Sequence, residues 1–133
     1  MKVHHIGYLV KKGEKAAQAF EALGYAREGD WTHDQIRKVD ILFLEKDGYR
    51  IELVSPYAAD SVVSGLLKTY KNAPYHICYE ADSFSEELAH LEESGYIRID
   101  EPTEAPAISN RRVTFLMHLS LIHISEPTRP EPI

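Results

Sequence analysis

The 133-residue sequence has one cysteine, no excess of basic charge and no long hydrophobic run. Cys78 alone cannot form an internal disulfide, and the start MKVHHIGYLV lacks the apolar core of a signal peptide, so we expect a cytoplasmic protein. Fifteen basic and 21 acidic residues give a net charge of −6, which disfavours nucleic acid or an anionic membrane as partner. No run approaches the roughly 18 apolar residues of a membrane span. A small-molecule partner is therefore expected.

The C-terminal residues 119–133 differ in composition from the rest of the chain. Residues 119–129, LSLIHISEPTR, match the translation of a transposase adapter that is used to build sequencing libraries. We interpret residues 119–133 as an adapter-derived tail and set them aside before considering the fold. A genuine proline-rich extension is the alternative.

An internal repeat organises the remaining sequence. The motif His-Ile-Gly-Tyr at residues 5–8 returns as His-Ile-Cys-Tyr at residues 76–79. Leu-Gly-Tyr at residues 23–25 returns as Ser-Gly-Tyr at residues 94–96, with the same offset of 71. Equal spacing of two motifs predicts two copies of one structural unit.

The first copy, residues 1–56, has the pattern of a βαβββ module. Apolar residues recur at helical spacing before Gly24, which suits a left-handed helix cap, and Asp47-Gly48 marks a hairpin turn between two strand-like runs. The predicted strands are residues 3–10, 25–29, 37–44 and 49–54, and the predicted helix is residues 14–23.

The second copy, residues 75–118, repeats this order but lacks its last strand. Residues 57–74 connect the copies and have helical spacing over residues 60–70. Ser83 with Glu86 forms a capping-box pattern at the start of the second module's helix. The sequence thus predicts an α+β fold of two tandem βαβββ modules. Its remaining predicted elements are strands at residues 75–80, 96–99 and 112–117 and a helix at residues 83–94.

Each copy has one histidine at the same place in its first strand, His5 and His76. A pseudo-twofold axis between facing sheets would bring both imidazoles together in a cleft. Alternation along the strand places His4 on the opposite face from His5. Glu52 lies between apolar residues of a strand, so it is either an ordinary solvent-facing position or a buried carboxylate that needs a cation.

With these residues in view, the chain resembles the vicinal oxygen chelate superfamily, which includes glyoxalases, bleomycin-resistance proteins and dioxygenases. The similarity is greatest to the methylmalonyl-CoA epimerase branch. It implies paired βαβββ modules and one divalent metal ion held by His5, Glu52, His76 and a final Glu. The repeat offset places the counterpart of Glu52 at position 123 or 124, inside the tail, so we expect this chain to lack the fourth ligand. The matching segments are residues 5–7, 51–53, 60–62, 75–77 and 113–116.

The resemblance also implies a chemistry. Imidazole and carboxylate donors suit Co, Ni, Mn, Fe or Zn, and such an ion stabilises the enolate that forms when a carbon-bound proton is removed. In the family the base is often the final Glu, so no catalytic residue is assigned here and activity is expected of the full-length parent. Asp34 and Arg37 are candidate substrate-binding residues, with a solvated turn as the alternative. Cys78 is a third candidate, with a core position as the alternative.

Several functions share this fold. The first is a metal-dependent epimerase or isomerase acting on an acyl-CoA, and a glyoxalase I-like lactoylglutathione lyase is the nearest alternative. A metal-free binding or resistance protein and an extradiol dioxygenase are the others. A homodimer is expected because folds with exposed strand edges often associate.

Overall fold

The computed structural model describes residues 1–61 and 63–121 and shows a mixed α+β fold. It confirms the predicted fold class, whereas the division into tandem modules stays a prediction. The elements are, in chain order, β1 (Lys2–Leu9), α1 (Gly13–Ala22), β2 (Ala26–Asp34), β3 (Val39–Lys46), β4 (Tyr49–Pro56), α2 (Ser64–Tyr70), β5 (Ala73–Glu80), α3 (Phe84–Glu93), β6 (Ile97–Arg98), β7 (Thr103–Ala105), β8 (Arg111–Val113) and β9 (Leu116–Met117), with 3₁₀ turns at Pro106–Ile108 and Leu119–Leu121.

A five-stranded sheet with the order β2-β3-β4-β1-β5 is the centre of the fold. The predicted short strand at residues 25–29 extends to Asp34 as β2, because it pairs with β3 on both sides of an irregular stretch. The β3–β4 hairpin turns at Asp47 and Gly48, whose φ angles of 54° and 85° give the left-handed backbone of a tight hairpin turn. The hairpin that Asp47-Gly48 predicted is thus confirmed.

Both predicted module helices end in the same way. Gly24 and Gly95 have φ angles of 102° and 101°, which a side chain would penalise. In each case the amide after the glycine bonds to a carbonyl five residues earlier: Tyr25 N–H to Phe20 O and Tyr96 N–H to Leu91 O. This is the Schellman arrangement, and the offset of 71 relates the two caps.

The second half of the chain departs from the prediction at the linking helix, at the start of α3 and at the last predicted strand. The linking helix α2 begins only at Ser64, after a turn in which the Ser64 amide bonds to the Ser61 carbonyl. Ser83 precedes α3 without a side-chain cap, so the predicted capping box does not form. The strand predicted at residues 112–117 is split into β8 and β9, because Asp100 binds the Thr114 hydroxyl and the Phe115 amide between them.

The core lies on both faces of the five-stranded sheet. One face packs against α1, and the other packs against α2 and the loops that precede it. The residues buried towards α1 are Val10, Ala17, Leu42, Leu44, Ile51 and Leu53. Those on the opposite face are Leu9, Val39, Ile41, Val54 and Val63.

The pairing of β1 with β5 follows the repeat. His5 lies opposite Cys78, and Gly7 lies opposite His76. His5 and His76 are equivalent positions of the repeat, and so are Gly7 and Cys78, because each pair is 71 residues apart. Exchanging equivalent positions turns one cross-strand pair into the other, so the register has the local twofold relation that the sequence repeat predicts. Residues 119–121 of the predicted tail form a 3₁₀ turn, whereas positions 123 and 124, the predicted counterparts of Glu52, lie outside the described residues.

Candidate metal centre

Three neighbouring strands bring the predicted ligands together. His5 is on β1, Glu52 is on β4 and His76 is on β5, and β1 lies between the other two. Gly7 pairs with Glu52 on one side and with His76 on the other. Glu52, Gly7 and His76 therefore form one row across the sheet, and His5 stands two residues along the same face of β1.

Gly7 provides the space that this row needs. A Cβ atom at Gly7 would lie 2.1 Å from Cε1 of His76, well inside van der Waals contact. The imidazole of His76 thus lies directly over the Gly7 backbone, where no other residue type would leave room for the ring in this position.

The three donor atoms form a small triangle. Nε2 of His5 lies 3.1 Å from Nε2 of His76 and 3.3 Å from Oε1 of Glu52, and the remaining side, from His76 to Glu52, is 3.5 Å. Atoms that bind one metal ion at about 2.0–2.2 Å with angles of 90–109° lie about 2.8–3.6 Å apart. The donor types and their separations therefore fit one divalent ion.

All three side chains are buried, which excludes the solvent-facing alternative for Glu52. Its residue exposure is 8%, against 4% for His5 and 9% for His76. Phe43 packs edge-on against His5, and Phe115 packs edge-on against His76. A buried carboxylate needs a positive partner, and apolar neighbours strengthen that requirement.

The two histidines have opposite protonation preferences in the metal-free site. Burial disfavours the His5 cation, but contacts with Cys78 and Glu52 outweigh it and raise its pKa to about 9. Burial dominates at His76 and lowers its pKa to about 4. Burial raises the pKa of Glu52, but the hydrogen bond and charge of His5 have the larger effect and hold that pKa below its ordinary value. A proton on His5 thus balances Glu52 where a metal ion would otherwise do so.

The second ring nitrogen of His76 does not belong to the donor triangle. This atom, Nδ1, is buried and has no hydrogen-bond partner among the residues that the structure describes. Metal-bound histidines usually direct this second nitrogen to a carboxylate, carbonyl or water. A group or a water bonded to this Nδ1 would fix the orientation of the His76 ring.

The donor triangle lies in the wall of a cavity of about 720 Å³. This volume is enough for a small-molecule ligand. Apolar side chains from both halves of the chain line most of it, among them Val39, Ile41, Val54, Leu88 and Phe115.

The three predicted substrate-binding residues also line this cavity. Asp34 is fully buried, although residues 35 and 36 of the turn are exposed, and its carboxylate accepts bonds from the Arg37 amide and from Nη1 of Arg37. The Arg37 guanidinium also donates to the Glu104 carbonyl and to the Thr103 hydroxyl. Cys78 is half-buried opposite His5 and so is not a core residue. Substrate contact by these residues stays a prediction.

His4 is the residue that sequence reasoning misplaced. The β1–β5 register shifts between Val3 and His5, so His4 is the extra residue of a β-bulge. Its side chain does not point away from His5, because Nδ1 of His4 lies 2.7 Å from Nδ1 of His5. Strict alternation gave the wrong face, and nothing in the sequence marks the bulge.

The fold and the site together define an α+β protein with a candidate metal centre in a cleft. The family model of the Glyoxalase/Bleomycin resistance protein/Dioxygenase superfamily matches residues 4–115, and the chain belongs to this superfamily. The resemblance stated from the sequence is thus confirmed. Superfamily members of the epimerase kind typically bind a divalent metal ion.

Two similar proteins are 26% identical to this chain. Mitochondrial methylmalonyl-CoA epimerase of Bos taurus is 26% identical over 93 residues, which are 69% of this chain and 53% of the relative, so the chain spans about half that protein's length. The hypothetical protein BH1468 of Bacillus halodurans C-125 is 26% identical, with a TM-score of 0.77 over 86% of this chain and 83% of its own.

A third relative shows the fold with a bound ligand. A variant of Streptomyces coelicolor methylmalonyl-CoA epimerase in complex with 2-nitronate-propionyl-CoA has a TM-score of 0.75 and 19% identity, and the match covers 87% of this chain and 86% of that one. Among the helices of residues 1–61 and 63–121, none is both long and apolar enough to cross a membrane.

Proposed function

We propose that the parent protein is a divalent-metal-dependent isomerase or epimerase that acts through an enolate-like intermediate on an acyl-CoA. The observation that carries this proposal is the buried triangle of His5, Glu52 and His76 at the wall of a ligand-sized cavity. The epimerase relatives support the substrate class.

The chain's own residues have separate parts in this proposal. His5, Glu52 and His76 would hold one ion of Co, Ni, Mn, Fe or Zn, which supplies electrostatic stabilisation of an enolate oxygen. The mostly apolar cavity wall lowers the local polarity, which would strengthen that stabilisation. Asp34, Arg37 and Cys78 are proposed to contact the substrate from the wall.

The base that transfers the proton is not among the residues named so far. The resemblance implies a final Glu as base, and its predicted position, 123 or 124, lies outside the described residues. We therefore propose that this chain binds metal and ligand, and that turnover needs the native C-terminal strand of the parent. A test of the present chain should measure binding rather than rate.

The nitronate that the Streptomyces relative binds is a suitable probe, because a nitronate resembles an enolate in charge and shape. Calorimetric titration with 2-nitronate-propionyl-CoA should show binding to metal-loaded protein. Affinity should fall at least about tenfold after chelation or in His76→Ala, since the anion then lacks its counter-charge. His90→Ala, an exposed histidine on α3, is the matched control and should bind normally.

Two results would overturn the proposal. Equal affinity with and without metal would indicate a metal-free binding protein of the same fold. No binding by the metal-loaded protein, with binding of an S-substituted glutathione instead, would favour the glyoxalase-type alternative.

Location and assembly complete the proposal. We keep a cytoplasmic protein and a homodimer as predictions. The free edge of β5 gives the dimer a physical basis, since β5 pairs only with β1 among the described strands.

A further inference from the structure

A second cluster of metal-ligating side chains shares His5 with the first. His4, His5 and Cys78 each offer one donor atom, and these atoms lie within 4.8 Å of one another. The proposed isomerase function uses only His5 of these three as a ligand. The proposed isomerase function therefore does not account for the proximity of His4 and Cys78 to His5.

The bulge in β1 is what forms this cluster. Without it, consecutive residues His4 and His5 would project from opposite faces of the sheet. The extra residue re-aims the His4 ring, so that Nδ1 of His4 lies 2.7 Å from Nδ1 of His5. Bulges are frequent beside functional sites for this reason.

Cys78 reaches the same point from the neighbouring strand. It is the direct cross-strand partner of His5, and such partners have side chains on one face at close range. Cys78 is half-buried and not in a disulfide, so its sulfur is available. Its place in the repeat is that of Gly7, and a side chain thus stands here where the other copy has none.

The two nitrogens of His5 serve different clusters. Nε2 faces Glu52 and His76, whereas Nδ1 faces His4. A cation at His4 and Cys78 would therefore use the His5 nitrogen that the first site leaves free.

The surrounding charges permit a cation. Arg50 is a positive group beside the cluster, since Nη1 of Arg50 donates to the His4 carbonyl at 3.2 Å. Its charge is already paired with Glu28, which accepts from Nε of Arg50 at 2.7 Å. Glu80 and Arg111 also lie close to His4, and their opposite charges are paired with each other.

We propose that His4, His5 and Cys78 form a second cation site, selective for a thiophilic divalent ion such as Zn²⁺ or Cd²⁺. Two imidazole nitrogens and one thiolate are donors that such ions favour, and solvent would fill the fourth position. Binding releases to water the Cys78 thiol proton and the proton held between Nδ1 of His4 and Nδ1 of His5. The site is independent of His76 and so does not depend on the proposed isomerase function.

The single cysteine makes the test specific. Co²⁺ bound to a thiolate gives a near-ultraviolet charge-transfer band, and in this sequence only Cys78 can produce it. The full chain, reduced and titrated with Co²⁺, should show the band, and His76→Ala should retain it. Cys78→Ser should lose it, and His4→Ala should need at least about tenfold more Co²⁺. Far-ultraviolet circular dichroism checks that each variant is folded.

A second readout uses the thiol itself. Cd²⁺ at a concentration that just saturates the wild type should slow the reaction of Cys78 with a thiol reagent at least about tenfold in the wild type and in His76→Ala, but much less in the more weakly binding His4→Ala. No charge-transfer band at saturating Co²⁺ would overturn the second site. A band that survives His4→Ala but disappears in His76→Ala would also overturn it, because it would assign the thiolate to the first ion.

Discussion

At the scale of single residues, Gly7 decides where His76 can stand. The pairing of β1 with both neighbours leaves no volume above Gly7 except the volume that the imidazole fills. The glycine is thus a requirement of the site rather than of the backbone, since Gly7 is not among the glycines with positive φ.

Gly7→Ala should therefore weaken metal binding at least about tenfold, because the methyl group displaces the His76 ring. Gly48→Ala is the matched control: its added Cβ meets nothing within 4 Å, but its φ of 85° is strained for alanine. That control should lose about 1 kcal/mol of stability and keep its metal affinity. Competitive titration with a chromophoric chelator measures the metal affinity of both variants. An unchanged affinity in Gly7→Ala would contradict the geometry.

The protonation of His5 and His76 predicts how the metal-free protein responds to pH. The folded-state pKa of His5, about 9, exceeds its ordinary 6.5, so its stabilising contribution is complete below pH 6.5 and is lost as the pH rises through 9. His76, with a pKa of about 4, has the opposite effect and lowers stability as the pH falls from 6.5 towards 4. Stability should be greatest near pH 6.5.

Glu52→Gln tests the cause of this profile. The amide removes the charge that favours the His5 cation, so the loss of stability between pH 6.5 and 9 should become smaller. Urea unfolding of the chelator-treated protein at several pH values measures it. The same slope in the variant and in the wild type would refute the pairing of His5 with Glu52.

At the scale of elements, the Asp34–Arg37 pair joins the β2–β3 connection to β7. Asp34 is fully buried, and the Arg37 side chain is 13% exposed while it bonds to Asp34 and to residues Thr103 and Glu104. This bond set holds the hairpin of β7 and β8 against the main sheet, on the wall of the cavity.

Arg37→Met should destabilise the protein by about 3 kcal/mol, because it leaves the Asp34 charge buried without a cationic partner. Adding Asp34→Asn should recover part of this loss, since the uncompensated charge is then removed as well. Chemical denaturation of the single and double variants measures both steps. A loss below about 1 kcal/mol in Arg37→Met would show that the pair does not hold the two parts together.

The elements also show what the sequence could predict. Gly24 and Asp47-Gly48 marked a helix end and a turn correctly, because such backbone conformations depend on local residue type. The repeat marked His5 and His76 as equivalent positions, whereas the choice of Glu52 and the metal-ligand role of all three residues were implied by the family resemblance. The bulge at His4 and the division of β8 from β9 by Asp100 depend on partners distant in the chain, and no local pattern encodes them.

At the scale of the whole molecule, the interpretation of residues 119–133 has a direct test. Amplifying the gene from source DNA and sequencing past the codon for His118 should reveal a reading frame that departs from LSLIHISEPTR. A strand with an acidic residue near position 123 or 124 is expected there, as the counterpart of Glu52. Genomic DNA that encodes LSLIHISEPTR would instead establish a native extension and remove the proposed base.

Metal content per chain shows whether His5, Glu52 and His76 bind one divalent ion. The protein should be loaded with Zn²⁺, dialysed and analysed by mass spectrometry for metal per chain, in a Cys78→Ser background that removes the proposed second site. We predict one equivalent in this background and in its His90→Ala control, and less than about 0.1 equivalent in His76→Ala. A full equivalent retained by His76→Ala would show that His76 is not a ligand of this ion.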